Sequence, residues 1–419
     1  CGVTLPHLFF RRSLARIATM SAAAIAPLEA PSTIPAESER WLQRGGLQPW
    51  RLAARRLLPI VQGGMGIGVS AHRLAGSVAA LGGVGTISSV DLRRHHPDLM
   101  LRTRGLAPGQ AAKDAIDAAN LEALEREIRR ARTRAGGRGL LAINVMRAVT
   151  AYGPSITRAL ECGIDAVVVG AGLPLDLPDL AREHPDTALI PILSDARGVQ
   201  LVVRKWERKK RMPDAIVIEH PRLAGGHLGA AKISDLQDPR FDFENAIPQS
   251  RAFLRAAGIE DQVPLIVAGG IRSMADIARL QGLGAAAVQM GTPFAVTEEG
   301  DADPAFKQVL AQATDDTLVE FTSVAGLPAR AVRTPWLDAY LKQVTKLQSV
   351  AHAKARCTKS FDCLAQCGLR DGFKDWGQFC IDNQLAAALR GDTRKGLFFR
   401  GAGALPFGDQ IRSVRDLMQ

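Results

Sequence analysis

Tyrosine is almost missing from this 419-residue chain. Only Tyr152 and Tyr340 occur, and aromatic residues together make up 5% of the sequence, so a binding pocket walled by several phenols is excluded. No apolar run approaches the ~18 residues that a membrane-spanning helix needs. Six cysteines, unevenly placed, are too sparse for a disulfide scaffold and fit a reducing, cytoplasmic setting. Four of them, Cys357, Cys363, Cys367 and Cys380, are separated by five, three and twelve residues. That spacing departs from the tight pairs of zinc ribbons and from common ferredoxin runs. Free thiols are therefore the first reading and no metal ligand is assigned; an iron–sulfur or zinc site and a redox disulfide stay open as alternatives.

Acidic residues are also in short supply, 42 against 53 Lys and Arg, giving a net charge of +11. The excess is local. Residues 1–56 carry eight Arg against three Glu, residues 204–211 carry six basic residues against Glu207, and the rest is near neutral. A basic arm and one charged helix end do not make a nucleic-acid surface with interleaved aromatics. The 204–211 run reads as the solvated end of the fifth barrel helix, with the extra phosphate of NADPH as a further candidate partner. Residues 1–28 hold Arg11, Arg12 and Arg16 without an acid, which resembles an organellar transit peptide, although Met20 is a plausible initiator. Ala, Pro and Ser dominate the start, so residues up to about Ser38 are expected to be poorly ordered.

What the chain does have is a series of short, continuous apolar runs. Eight of them, at 58–62, 84–88, 140–145, 165–170, 188–193, 214–219, 264–267 and 285–290, lack the alternation of a sheet with one wet face, and so suit a parallel sheet covered on both sides. Helical patterns fill the gaps, most clearly at 113–131, where Leu121, Leu124 and Ile128 share a face. Residues 58–313 make about 256 residues, close to the ~250 of a (β/α)8 TIM barrel. A doubly wound open sheet is the runner-up. Residues 1–57 form an N-terminal extension. Residues 314–419 form a C-terminal, mainly helical extension, with helices expected at 336–350 and within 373–389. It is expected to pack across the barrel mouth or to form a homodimer contact.

Three glycine-rich segments each follow one of these runs: Leu223-Ala224-Gly225-Gly226-His227-Leu228-Gly229, Ala268-Gly269-Gly270-Ile271 and Gln289-Met290-Gly291-Thr292-Pro293-Phe294. Glycine lets main-chain amides approach an anion, and the loops after the last two barrel strands commonly hold a phosphate. Helix N-termini at these turns would add a favourable dipole, and Thr292 a hydroxyl. His227, between small neighbours on the rim, is a candidate base near neutral pH or, when protonated, an anion holder. His72, His95, His96, His184 and His352 read as surface or capping residues.

Together with the opening Pro59-Ile60-Val61-Gln62-Gly63-Gly64-Met65-Gly66 and the strand end Ile143-Asn144-Val145-Met146, these segments resemble the nitronate monooxygenase family, formerly 2-nitropropane dioxygenases, over about residues 58–335. The resemblance implies a barrel that binds FMN without a covalent link and oxidises alkyl nitronates with O2 to a carbonyl compound and nitrite. It implies flavin-ring contacts from Gln62, Gly63, Gly64, Met65 and Asn144. Gly225, Gly226, Gly269, Gly270, Gln289, Met290, Gly291 and Thr292 would face the ribityl chain and phosphate, and His227 matches the active-site histidine. Asn144 offers the donor and acceptor that a flavin edge requires. His220 stands where the family usually has a small residue, which bears on substrate shape. Barrel relatives that use NAD(P)H to reduce quinones or enoyl thioesters share the glycine-histidine segment, so that activity is the alternative. A third possibility is a flavin-bearing scaffold whose cysteine-rich tail docks a partner.

Overall fold

The computed structural model describes residues 33–107, 109–353, 357 and 362–419. Each apolar run becomes a strand: β1 (Ile60–Gln62), β2 (Val84–Ser88), β3 (Leu140–Met146), β4 (Ala166–Gly170), β5 (Ala188–Leu193), β6 (Ile216–Glu219), β7 (Leu265–Ala268) and β8 (Ala287–Met290). They pair in parallel and in chain order, and β8 returns to β1 through Val288–Ile60 and Met290–Gln62, closing a barrel. The open-sheet alternative is set aside. Closure leaves no strand edge unpaired. Inward residues such as Val61, Leu140, Val168, Ile190 and Ile266 form one cluster, joined by Trp50, Leu52 and Leu57 from a hairpin that closes the end where the strands begin. Outward residues pack under the helices in a larger cluster, which explains why the strands read as unbroken apolar runs.

Pro31–Gln419 form one compact unit. Its described part begins inside the stretch expected to be poorly ordered, and corrects that expectation beyond residue 32. Ile34 and Ser38 are buried, and the helix Ala36–Gly45 buries Trp41 and Leu42. Residues 1–32 lie outside the described residues.

The long helix runs Gln110–Ala135, wider than its apolar pattern suggested. Its buried stripe holds Ala119, Ala123, Leu124, Ile128 and Ala131, and also Glu127, which is fully buried; Leu121 is only half-buried. Oε2 of Glu127 accepts from the His72 backbone amide at 2.8 Å and lies 2.7 Å from His72 Nδ1, while His96 Nε2 lies 3.0 Å from Oε1. His96 is 2% exposed. The surface reading of His72 and His96 is therefore corrected: both bind one internal carboxylate. His95 also has a partner, the Gly68 carbonyl, at 2.7 Å.

The basic run lies at the C-terminal end of the helix Ala196–Glu207, just ahead of β6, so it sits at the end of the barrel where strands start. Trp206 within it is fully buried, Lys209 pairs with Asp179, and Arg211 pairs with Asp214 at 2.6 Å. An NADPH phosphate bound there would be on the far side from the rim.

Beyond the barrel come β9 (Leu318–Thr322), β10 (Pro328–Val332) and the helices Pro335–Ser349 and Ile381–Leu389. β10 pairs on one side with β9 and on the other with Gly226–His227, so the extension adds strands directly to the glycine-histidine loop. The last helix, Val414–Met418, returns to the main core through Val414 and Met418.

Candidate active site

At the rim where the strands end lies a cavity of about 630 Å³. Gly63, Gly64, Met65, Asn144, Gly225, Gly226, His227, Gly269, Gly270, Gln289, Met290, Gly291 and Thr292 all line it. Three distant segments and two strand ends thus meet in one place. Gln62 does not line it. Its Oε1 accepts from the Thr86 amide at 2.8 Å and its Nε2 donates to the Gly63 carbonyl, so the side chain ties β1 to β2 below the cavity floor.

Glycine is required here by close approach. A Cβ on Gly64 would stand 2.2 Å from Asn144 Cβ, and one on Gly225 would stand 2.4 Å from the Arg400 carbonyl carbon and the Gly401 nitrogen. Gly269 and Gly270 have φ of 110° and 73°, the left-handed region that side chains avoid. The expected helix dipoles need correcting. The helix after β7 starts only at Met274, and Asp276 accepts from the Arg272 and Ser273 amides at 2.9 and 3.0 Å, satisfying that N-terminus internally. The helix after β8 is four residues long. The same end of the cavity also carries side chains that the sequence did not single out.

Those side chains are Arg272 and Arg400, both of which line the cavity. Arg400 is 2% exposed and holds the carbonyls of Leu310, Gly401 and Gly403 at 2.7 to 3.0 Å. Burial lowers its pKa, with Asp315 opposing. Its segment straps the mouth: the Gly401 amide donates to Thr292 Oγ1 at 3.0 Å, and the Ala402 amide donates to the Leu223 carbonyl at 3.1 Å. Thr292 keeps its hydroxyl hydrogen to donate. The only sequence signal for Arg400 was its glycine-flanked apolar run; outside its own loop its guanidinium meets the Leu310 carbonyl, 90 residues away.

His227 faces the cavity from the strip that β10 holds in register, Ala329 opposite His227 and Arg330 opposite Gly226. The expectation that nothing bulky stands near it is corrected by Phe399, whose ring centroid is 5.6 Å away. Nε2 is buried and has no partner among the described residues. Desolvation pushes the imidazole down to about 4, so near neutral pH the ring is uncharged, with a lone pair and an N–H to offer. Glu219, ending β6, also lines the cavity, and burial raises its carboxyl to about 7. An acid closing an apolar strand at a barrel rim was its available signal. His220 lies outside the cavity. It is 3% exposed, sits 3.2 Å from Asp242 and meets Phe243 edge-on, so it acts on packing below the loop and not on substrate shape directly. Neither tyrosine lines the cavity.

A family model described as nitronate monooxygenase matches residues 53–419. The chain belongs to that family. A probable nitronate monooxygenase of Staphylococcus saprophyticus is 26% identical over 188 residues, 44% of this chain and 48% of that one. The stretch matched thus spans about half the length of this curated relative. Among solved structures, FabK from Thermotoga maritima aligns with a TM-score of 0.58 at 21% identity, over 86% of this chain and 90% of that chain. Nitroalkane oxidase from Streptomyces ansochromogenes gives 0.56 at 19% identity, over 86% and 94%. At such identities the two structures speak for the shared barrel.

The lining fits a flavin. A free hydroxyl hydrogen on Thr292, the positive charges of Arg272 and Arg400, and the Asn144 carboxamide suit a phosphate tail and a ring edge. Replacing Gly225 with Ala forces the strap away from the cradle and lowers stability by about 1–3 kcal/mol. Urea denaturation measures this, with flavin retained after gel filtration as a second readout. Gly282→Ala, a helix position with nothing within 4 Å, serves as the control, where the same change should not lower stability.

Proposed function

We propose that the cavity holds FMN and that the enzyme oxidises alkyl nitronates with O2, yielding a carbonyl compound and nitrite. The observation that carries this reading is His227: an uncharged imidazole with an unpartnered Nε2, held at the mouth of a glycine-lined cradle. Family membership and the cradle support the cofactor. When bound, the flavin supplies the electron-accepting ring. The protein's share is placement and protection. Asn144 and the Gly63–Met65 loop would hold the ring, the Gly269, Gly270, Gly291 and Thr292 turns would hold the phosphate, and Arg272 and Arg400 would balance its charge. Leu173, Leu364, Ile381 and Phe399 also line the cavity, which favours small substrates with apolar tails. For a nitronate, His227 orients the nitro oxygens by its N–H. For a neutral nitroalkane, the same ring in its other tautomer takes the proton beside the nitro group.

The NAD(P)H-dependent reduction of quinones or enoyl thioesters is the competing activity, and the basic run gives it no support because it lies at the opposite end of the barrel. Mixing the purified protein with propyl nitronate in air tests the proposal: nitrite is released, and under nitrogen the flavin bleaches. Mass analysis of the extracted cofactor identifies FMN. No nitrite and no bleaching, or bleaching by NADPH alone, sinks the assignment.

A further inference from the structure

Glu219 is a second ionisable group in the cavity, and the chemistry above gives it no task. Its place follows from strand parity. On β6, Val217 points into the barrel while Ile216 and Ile218 pack outward under the helices, so Glu219, two residues beyond Val217, points inward where the strand ends. The same alternation brings Ser88 of β2, Asn144 of β3 and Gln289 of β8 to that level, and all four residues line the cavity. Among the described residues, no other barrel strand ends in an acid.

Among the described residues, no hydrogen bond or ion pair reaches the Glu219 carboxyl. The other charged groups around the cavity are engaged elsewhere. Asp195 accepts from the Gly198 amide at 2.8 Å and faces Arg240 at 3.6 Å, Arg240 also faces Asp238 at 3.4 Å, and Asp382 meets Arg94 at 3.3 Å. Arg400 holds the three carbonyls named above, and Arg272 lies against the same loop, where a Cβ on Gly403 would stand 2.1 Å from its Nη2. His227 and Cys363 are uncharged near neutral pH. The neighbour that Glu219 does have is Ser194. A Cβ on Gly229 would lie 1.9 Å from Ser194 Oγ and 4.0 Å from Glu219 Oε1, so the short strip that carries His227 also borders this carboxyl. With no cation beside it, burial favours the acid form and raises the group to about 7. That form has an O–H to give.

We propose that Glu219 faces the bound nitronate from the cavity floor and, as a carboxylic acid, donates a hydrogen bond to its anionic oxygens. The inference deepens the nitronate reading and takes the charge of the substrate from it. An ionised Glu219 would set one negative charge against another where little water screens them. Anion binding and retention of the Glu219 proton are therefore linked. The sign follows from the raised value: the acid form prevails below about 7, and affinity for an anion is lost as pH rises through it.

The test is the pH dependence of KM for propyl nitronate, measured on the flavin-loaded full chain. In the wild type KM rises about tenfold per pH unit above about 7. Glu219→Gln keeps a donor and cannot ionise, so its profile is flat; Glu219→Ala is flat as well, with KM raised about tenfold or more at about pH 6. His227 near 4 and Cys363 near 12 titrate outside this range. Flavin content and the urea midpoint report whether each variant folds. Nitrate, a planar oxyanion, supplies a readout without turnover. Calorimetry shows it binding the wild type about tenfold more weakly at about pH 8 than at about pH 6, and equally at both in Glu219→Gln. An alkaline rise in KM that survives in Glu219→Gln, nitrate binding that weakens alike in both proteins, or a wild type that binds no nitrate at about pH 6 overturns the assignment. The expected nitrate pattern without nitrite release rejects only the nitronate reading, which keeps the two failures distinct.

Discussion

Replacing His227 with Gln lowers kcat/KM for a neutral nitroalkane about a hundredfold to ten-thousandfold, while oxidation of propyl nitronate changes by less than about tenfold. The difference follows from what each substrate demands. A nitroalkane must lose a proton before it can be oxidised, and His227 Nε2, buried and unpartnered, is placed to take it. A nitronate has already lost that proton and needs only orientation, which a glutamine amide supplies in part. The pH profile carries the same signature. The imidazole lies near 4 because burial disfavours its charged form, so proton abstraction persists through neutral and mildly acid pH and fails only as pH falls through about 4. An acid limb at the ordinary histidine value would show that the ring is solvated during turnover. Equal losses on both substrates would assign His227 a purely binding role.

The second large effect lies outside the cavity. Glu127→Ala removes a carboxylate that receives the His72 amide and faces the His72 and His96 rings, leaving these groups buried without their acceptor. Breaking such an arrangement costs about 3–5 kcal/mol, measured as a lower urea midpoint followed by tryptophan fluorescence at pH 7. Glu127→Gln keeps the shape and loses the charge, so it falls between the two. The pH dependence has a definite sign. Although burial opposes ionisation, the His72 and His96 contacts hold the Glu127 carboxyl well below its usual range. Its contribution is therefore complete above the ordinary value of 4.5 and disappears on acidification below it. The gap between wild type and Glu127→Ala should narrow as the solution is acidified. A gap that is constant with pH would mean that the carboxylate contributes only by filling space.

The barrel could be read from the sequence because strands covered on both faces are unbroken apolar runs, and every one of those runs forms a barrel strand. The glycine segments were equally clear, since only glycine permits the approach of Gly225 to the Arg400 backbone or the φ of Gly270. What escaped were long-range partnerships between groups that look ordinary alone. Glu127 reads as a solvated charge on a charged helix, and nothing near it in sequence announces His72 or His96. Gln62 sits in the right motif, but its amide is taken by Thr86 on the next strand. Arg400 lies far from the barrel strands in sequence, so its place beside the Thr292 turn appears only when the chain folds back. The shift of His227 likewise depends on Phe399 and β10, both from that returning segment.

The strap from Arg400 through Ala402 has a consequence for biosynthesis. The barrel strands emerge from the ribosome before the residues that roof the cavity. A nascent chain can therefore pair its eight strands before the cavity gains its roof. Nonsense mutations ahead of Arg400 would remove the roof together with Val414 and Met418 of the main core.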